Sequence, residues 1–235
     1  MTTRPIIFSA PMVRALLDGR KTQTRRLLKI PIHLDGEGAM PKVFQCVGVG
    51  LAAPMRDNPE HRCGVFPPWS AGDRLWVREA HRLVECDCTE TCRVPGNVWY
   101  EADSSGYREC NLNRLRPGIH MPRWASRLTL EVTAVRIQRL LDITEADAEA
   151  EGFRAGPIGE PMPPRDLGGG WTISSPGAWA SAAGHFQSTW ADLHPEWDGY
   201  SSPWVVALTF RVLRGNVDSH ELVPINISRS AEVPT

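Results

Sequence analysis

The sequence has no apolar run that approaches the roughly 20 residues a helix needs to cross a membrane. The segment from Met1 to Phe8 also lacks the long apolar stretch and the small-residue cleavage site of a secretion signal. Because both features are missing, we expect a cytoplasmic protein that has no membrane partner.

An excess of charge of either sign is missing as well, since 26 basic and 27 acidic residues leave a formal net charge of -1. Proteins that coat duplex DNA without regard to sequence need a broad excess of Lys and Arg, so this class is excluded. Arginine, which suits bidentate contacts to phosphates and bases, far outnumbers lysine. The basic residues form two clusters that are either solvated surface or contacts to a ligand. They are Arg20, Lys21, Arg25 and Arg26, and then Arg114, Arg116, Arg123 and Arg127.

The six cysteines leave two interpretations open. Without a secretion signal, free thiols or metal ligands are better explanations than disulfides. Cys86, Cys88 and Cys92 lie close together and could hold a structural zinc, or could stand in a reduced loop because their spacing is irregular. No cofactor is expected to be required for catalysis. The candidates for a fourth zinc ligand are Cys63, His81 and Cys110.

The N-terminal residues predict a short strand followed by a helix. The strand is predicted at 6–8, and Ser9 is a typical residue for the N-cap of the helix that follows. Pro11 falls in the first turn, where its missing N–H is not needed. Gly19 is expected to end the helix in a left-handed conformation, so the first basic cluster follows that cap in a polar stretch.

Alternating and β-branched residues predict further strands at about 75–77, 98–100, 128–137 and 204–212. A helix is predicted from Thr144, with Asp147 as its capping partner, to Gly152, and another over about 180–193. We interpret 30–71, 85–97 and 154–178 as insertions and 215–235 as a disordered tail. The order of elements indicates a single α+β domain over 1–214, built on a small β-barrel with flanking helices.

Five segments together resemble the ASCH-domain family, whose fold is similar to the RNA-binding PUA barrel. Gly19–Arg26 resembles the opening of these domains, and Gly72–Glu79 resembles their second characteristic segment. Ile119–Arg127 is similar to a stretch of the longer ASCH proteins of bacteriophages and prophages, which implies a bacterial or phage-infected cell. Ile143–Gly152 and the closing strand Trp204–Phe210 complete the resemblance. It implies a PUA-like (ASCH) β-barrel that carries long loop insertions.

The best-understood relatives implied by this resemblance are small bacterial amidohydrolases that remove the acyl group from N(4)-acetylcytidine. Their catalytic set is a Lys and a Thr in a Gly-Arg-Lys-Thr-x-Thr segment, plus a Glu at the end of the helix after the long strand. By the resemblance these roles fall on Lys21, Thr24 and Glu151. It therefore implies an amidohydrolase that acts on an N-acylated nucleobase or nucleoside, with insertions that could reshape the substrate or mark loss of the activity.

Amide hydrolysis needs a nucleophile, a group that removes its proton, and donors for the developing oxyanion. Lys21 can take the Thr24 proton only when it is neutral, so its pKa must fall well below the free value of about 10.4. Side chains alternate along an extended strand, so Lys21 and Thr24 share a face only in a bend. Glu151 could accept the amine proton or orient a water molecule. A carboxylate at the C-terminus of a helix is locally unfavourable, which independently points to function.

Basic side chains and aromatic rings near the matched segments are expected to hold the substrate, since a flat base can stack on a ring. Each tryptophan is better explained as part of the core, whereas His120 is equally well explained as a structural histidine. Glu79 competes for the acid role, or forms an ion pair with Arg26 or Arg78. The alternative function is a non-catalytic module that binds RNA or single-stranded DNA, whereas a nuclease would need a convincing Asp and Glu metal site. The predicted substrate-binding residues are Arg20, Arg26, Trp76, Arg78, Glu79, Tyr100, His120 and Arg123.

Overall fold

The computed structural model describes most of the segments that carry the predicted strands and helices. Side chains and backbone are described for residues 1–28, 67–83, 98–103, 114–155 and 181–225. Only the backbone is described for the short strands at 45–47, 50–54, 62–65, 165–166 and 172–173. The cysteines Cys86, Cys88 and Cys92 and the predicted insertion 85–97 lie outside the described residues.

The chain is a mixed α+β protein, as the sequence predicted, and it divides into two compact units. The first unit contains residues 1–22, 69–134 and 209–235, and the second contains 23–68 and 135–208. The described helices are α1 (Ala10–Leu17), α2 (Glu145–Ala150) and α3 (Ala182–Leu193). The described strands are β1 (Thr3–Ile7), β2 (Gln23–Leu27), β3 (Gln45–Val47), β4 (Gly50–Pro54), β5 (Arg62–Val65), β6 (Arg74–Arg78), β7 (His81–Leu83), β8 (Val98–Tyr100), β9 (Leu128–Arg139), β10 (Arg165–Asp166), β11 (Thr172–Ile173), β12 (Trp204–Arg214) and β13 (Val223–Pro224).

The main sheet contains six strands in the order β1-β6-β9-β12-β13, with β2 paired to β12. Strand β1 runs parallel to β6 with Ile6 opposite Val77, and β6 runs antiparallel to β9 with Leu75 opposite Leu130. These side chains are at most 5% exposed and belong to the core. Apolar and β-branched residues favour strands here because they pack well on a pleated surface. Among the described residues, strand pairing alone does not close this sheet into a barrel.

Helix α1 in the first unit begins and ends where the sequence predicted. Ser9 occupies the N-cap position and a proline stands in the first turn, although the Ser9 side chain makes no capping hydrogen bond. Gly19 has a φ of 70°, and its backbone N–H donates to the carbonyl oxygen of Leu16. The left-handed glycine thus reverses the chain and directs the residues after it toward β2.

The first unit also holds a hairpin and two short 3-10 turns beside it. Strands β7 and β8 pair antiparallel, and the turns span Gly118–His120 and Arg123–Ala125. Val98, Met121 and Ala125 form a small buried cluster under these elements. Its apolar contacts fix the turns to the hairpin.

Helices α2 and α3 in the second unit both begin at a capping hydroxyl. The Thr144 side chain accepts a hydrogen bond from the Asp147 N–H, and the Ser181 side chain accepts one from the Gly184 N–H. Gly152 follows α2 with a φ of 95°, as predicted for its end. These caps set the ends of the helix that carries Asp147 and leads into Glu151.

The segments interpreted as insertions and tail contain regular structure that the sequence did not reveal. Strands β3, β4 and β5 form an antiparallel sheet inside 30–71, and β10 and β11 pair inside 154–178. The prediction of a disordered tail does not hold for residues 215–225, because β13 pairs there with the end of β12. None of the described helices is both long and apolar enough to span a membrane.

Candidate functional site

The segment from Lys21 to Arg25 places polar side chains inside the protein. Lys21 is 1% exposed, Thr24 is 4% exposed and Arg25 is 3% exposed. Charged residues are rarely buried unless they are paired, because losing water is costly. The polar segment after the helix cap is therefore not the solvated loop that its composition alone would indicate.

Lys21 lies in the first unit, directly before strand β2. Its Nζ atom is 5.5 Å from the centroid of the buried Phe8 ring, within the range of a cation–π contact. Its backbone N–H donates to the carbonyl oxygen of Ala15 in α1. The neighbouring Arg20 is more exposed and pairs with Asp18 at 2.8 Å. Helix α1 and its cap thus hold the lysine backbone.

A buried ion-pair network in the second unit joins β2 to α2. The fully buried Arg25 guanidinium lies 2.9 Å from a carboxylate oxygen of Asp147 and 3.2 Å from one of Glu151. Arg136 reaches Asp147 from the other side at 3.0 Å. The Arg25 guanidinium also lies 5.8 Å from the centroid of the Phe186 ring. One cation of the strand therefore bridges two carboxylates spaced four residues apart along the chain.

The pKa of Asp147 is lowered from its ordinary value of 3.8. Burial alone would raise this pKa, but the Arg136 hydrogen bond and the charges of Arg25 and Arg136 together outweigh it. Asp147 is therefore a carboxylate at neutral pH and holds one side of the Arg25 guanidinium. Sequence reasoning assigned Asp147 only to helix capping, and its spacing of four residues from Glu151 was the available signal.

Glu151 occupies the C-cap position of α2 and is 3% exposed. The negative end of the helix disfavours a carboxylate there, and the Arg25 guanidinium offsets that effect. Burial lowers the pKa of Arg26, while the Glu151 charge acts in the opposite direction. Glu151 thus faces positive charge from strand β2, and the sequence did not indicate Arg25 as its partner.

The alternation of side chains along β2 separates Gln23 and Arg25 from Thr24. Gln23 hydrogen bonds to Asp147, and Arg25 contacts Asp147 and Glu151, so this pair faces α2. Because successive side chains point to opposite faces, we expect Thr24 to point away from the Arg25 carboxylates. Direct activation of the Thr24 hydroxyl by Glu151 is therefore not what this strand geometry favours.

Glu79 forms its ion pair with a residue that the sequence did not indicate. The predicted partners were Arg26 and Arg78, but Arg127 binds both Glu79 oxygens, with nitrogen–oxygen distances of 2.9 and 3.0 Å. Arg127 also binds both oxygens of Asp103 at 2.8 Å. Burial raises the pKa of Glu79, and the Arg127 contacts oppose that rise. Glu79 is thus committed to a fork-shaped pair inside the first unit.

The Tyr100 ring, predicted as a stacking surface, already has a cation on it. The Arg127 guanidinium carbon lies 3.9 Å from the ring centroid, and the Tyr100 hydroxyl donates to the Ala125 carbonyl oxygen at 2.8 Å. Burial raises the pKa of this hydroxyl to about 12. Trp76 is 8% exposed and has the Arg78 guanidinium 5.3 Å from its ring centroid. Both rings are therefore packed within the first unit.

His120 and Arg123, also predicted to bind substrate, lie on the surface of the first unit. Arg123 forms an ion pair with Asp218 at 2.6 Å. His81, which the sequence raised only as a metal ligand, is fully buried with its Nδ1 atom 3.3 Å from the Glu79 carbonyl oxygen. Burial lowers the pKa of His81, so its ring is neutral at physiological pH.

No group of three or more potential metal ligands occurs among the described residues. The predicted zinc ligands Cys86, Cys88 and Cys92 lie in the part of the chain that is not described.

Comparison with known proteins adds no family to these observations. No protein-family model, no curated protein sequence and no solved structure matches this chain.

Proposed function

We propose that the protein is an amidohydrolase of the ASCH type, with a PUA-like barrel, that removes the acyl group from an N-acylated nucleobase or nucleoside such as an N(4)-acylcytidine. Lys21, Thr24 and Glu151 are its working residues. The proposal unites the resemblance of Gly19–Arg26 and Ile143–Gly152 to that family with the burial of all three side chains.

The observation that carries the proposal is the Arg25–Glu151 ion pair. It brings the end of α2 against the strand that contains Thr24, within the second unit. A buried carboxylate at the C-terminus of a helix is costly, and the Arg25 guanidinium offsets part of that cost. A purely structural helix end would be served more simply by a glycine or a basic residue.

The proposed reaction has two stages. The Thr24 hydroxyl adds to the acyl carbon, with Lys21 in its neutral form taking the hydroxyl proton, and the bond from carbon to the exocyclic nitrogen then breaks. The departing nitrogen receives that proton, which leaves an ester on Thr24 and a free amino group on the base. Water then adds to the ester with Glu151 accepting its proton, and the threonine hydroxyl is restored as the carboxylic acid leaves.

This division of roles follows from the strand geometry. Lys21 rather than Glu151 is assigned to the first proton transfer, because it precedes the extended strand β2 and is not subject to the alternation that separates Thr24 from Arg25. Glu151 is assigned to the water, because its charge also acts on Arg26, which by alternation shares the Thr24 face of β2, so a water molecule rather than the hydroxyl itself links the carboxylate to Thr24. Arg26, a second cation of β2, is half-buried and within the electrostatic influence of Glu151, and it is assigned to the acyl oxygen.

Turnover of N(4)-acylcytidines by purified variants tests this assignment. Glu151→Gln keeps the size of the side chain but removes its basicity, so we expect the ester on Thr24 to form and to persist, which mass spectrometry of the intact protein would detect. Thr22→Val is the matched control, since Thr22 stands in the same segment outside the catalytic set. A Glu151→Gln variant that turns over as fast as the control would remove Glu151 from the mechanism.

The predicted alternative of a non-catalytic binding module has a distinct result in the same assay. It requires the wild-type protein to release no acyl group from any member of a series of acylcytidines, while still binding the nucleoside or a single-stranded polymer. Four arginines of the two basic clusters are already paired with carboxylates of the protein, namely Arg20, Arg25, Arg123 and Arg127. This argues against a module that needs every arginine of both clusters to bind its nucleic acid.

A further inference from the structure

Residues 114–127 of the first unit form a segment without a single acidic residue, which we call the basic strap. It holds four arginines and a histidine, and it contains both 3-10 turns described above. The mechanism proposed above uses none of its residues.

The basic strap is held down at three separate points. At Gly118 it runs so close to β6 that a side-chain carbon placed there would come within 3.3 Å of the Arg78 carbonyl oxygen. The Met121 sulfur accepts a hydrogen bond from the Glu79 backbone N–H at 3.2 Å. The Asn216 side-chain nitrogen donates to the carbonyl oxygens of Arg123 and Ser126 at 2.7 and 2.9 Å. The strap is therefore a built surface with a defined backbone.

Two large apolar side chains stand out from this fixed backbone. Trp124 is 63% exposed and Ile119 is 59% exposed. Met121, which lies between them in the sequence, and Ala125, which follows Trp124, are buried. Trp124 belongs to the turn that Asn216 clamps, and the Asn216 side-chain nitrogen also lies 3.3 Å from the Trp124 carbonyl oxygen. An exposed indole on a rigid turn loses little conformational entropy when a flat ring stacks on it.

The positive charge of the basic strap is only partly neutralised within the protein. Arg123 is paired with Asp218, and Arg127 is paired with Glu79 and Asp103. Arg114, Arg116 and His120 are exposed and have no carboxylate partner among the described residues. These three side chains remain available to a polyanion, on the same short segment as the exposed indole.

We propose that the basic strap binds single-stranded nucleic acid, with a base stacked on Trp124 and backbone phosphates held by Arg114, Arg116 and His120. Stacking platforms flanked by cations are how proteins bind single strands without reading their sequence. A base within a duplex has its faces covered by its neighbours and cannot use the indole in this way. The inference is independent of the proposed hydrolysis, because no residue of the catalytic set takes part.

Fluorescence anisotropy of a short labelled single-stranded oligonucleotide, titrated with the full chain at low and moderate salt, tests this surface. Trp124→Ala should weaken binding about tenfold, whereas Trp124→Phe, which keeps an aromatic ring, should retain most of the affinity. Tyr200→Ala is the matched control, since Tyr200 is an aromatic residue that is 89% exposed in the second unit. Arg116→Ala should reduce the slope of log affinity against log salt concentration by about 0.7, the value expected for the loss of one phosphate contact to a single strand.

Two results would overturn the inference. One is an affinity of Trp124→Ala equal to that of the wild type, with circular dichroism showing both folded. The other is equally tight binding of a blunt duplex of the same length, which would mean that charge alone accounts for the association. Neither result bears on acyl release from a nucleoside, so the two proposals fail separately.

Discussion

At the scale of single residues, Arg25 is the side chain on which the proposed site depends most. It is fully buried and lies between the carboxylates of Asp147 and Glu151. We expect Arg25→Ala to lower the free energy of unfolding by about 3–5 kcal/mol, because removing one partner leaves buried charge uncompensated. Urea denaturation would measure the loss, with Arg20→Ala, a surface arginine paired to Asp18, as the control. A loss no larger than that of the control would show that the network contributes little.

The lowered pKa of Asp147 gives a prediction for the dependence of stability on pH. An acid with a native pKa below its unfolded value stabilises the folded protein above the unfolded value, here near 3.8, and loses that contribution as the pH falls through the native pKa. The wild type should therefore exceed Asp147→Asn in stability at neutral pH, and the difference should shrink below pH 3.8.

Thermal or urea unfolding of the two proteins across this pH range would measure that difference. Asp142→Asn is a suitable control, since Asp142 is an exposed acid that precedes the same helix. A difference that stays constant down to the lowest pH at which both proteins fold would contradict the ion-pair account of Asp147.

The sequence predicted some of these residues and could not predict others. Glu151 was indicated by a local conflict, a carboxylate at a helix C-terminus, which needs no knowledge of the fold. Its partner Arg25 lies 126 positions away, and the Glu79 partner Arg127 lies 48 positions away. Local pattern cannot select one arginine among many at such separations, which is why the predicted Glu79 partners, Arg26 and Arg78, were wrong.

At the scale of elements, helix α2 is what positions Glu151. Its first turn is capped by the Thr144 hydroxyl, which accepts from the Asp147 N–H at 3.1 Å. We expect Thr144→Ala to cost about 1 kcal/mol of stability and also to slow the hydrolysis of an N(4)-acylcytidine, because Glu151 shifts with the helix.

The N-cap of α3 provides the control for Thr144→Ala, because it is also a hydroxyl that accepts a hydrogen bond from a backbone N–H. Ser181→Ala removes a hydroxyl that accepts from the Gly184 N–H at 3.0 Å, so its cost in stability should be similar. Its hydrolytic rate should match that of the wild type. If both variants slow the reaction equally, the effect of Thr144→Ala comes from lost stability rather than from the position of Glu151.

The elements that the sequence predicted correctly are those with a strong internal pattern. Strand β9 alternates apolar and polar residues, and α2 lies between a capping threonine and a glycine with positive φ. Strands β3 to β5 are short and lie among the glycines and prolines of 30–71, so their pattern is too brief to distinguish from an irregular loop. These three strands are defined by their pairing with one another, which the sequence pattern does not reveal.

At the scale of the whole molecule, the near-zero net charge has a structural counterpart. Several arginines of both basic clusters are bound to carboxylates of their own unit, including Arg25 to Asp147 and Arg127 to Glu79. Much of the positive charge therefore stabilises internal ion pairs, while the basic strap keeps exposed cations for a ligand. The α+β class followed from the order of elements, whereas the division into two units could not be derived, because chain segments far apart in sequence contribute to each.

The release of cytidine from N(4)-acetylcytidine by the wild type, compared with Thr24→Val under the same conditions, tests the central claim most directly. Valine keeps the shape of threonine and replaces its hydroxyl with a methyl group, so the buried strand should remain folded. The proposed function predicts measurable turnover by the wild type and a loss of about a thousandfold or more in the variant. Equal rates in the two proteins, or no release by the wild type from any acylcytidine, would contradict it.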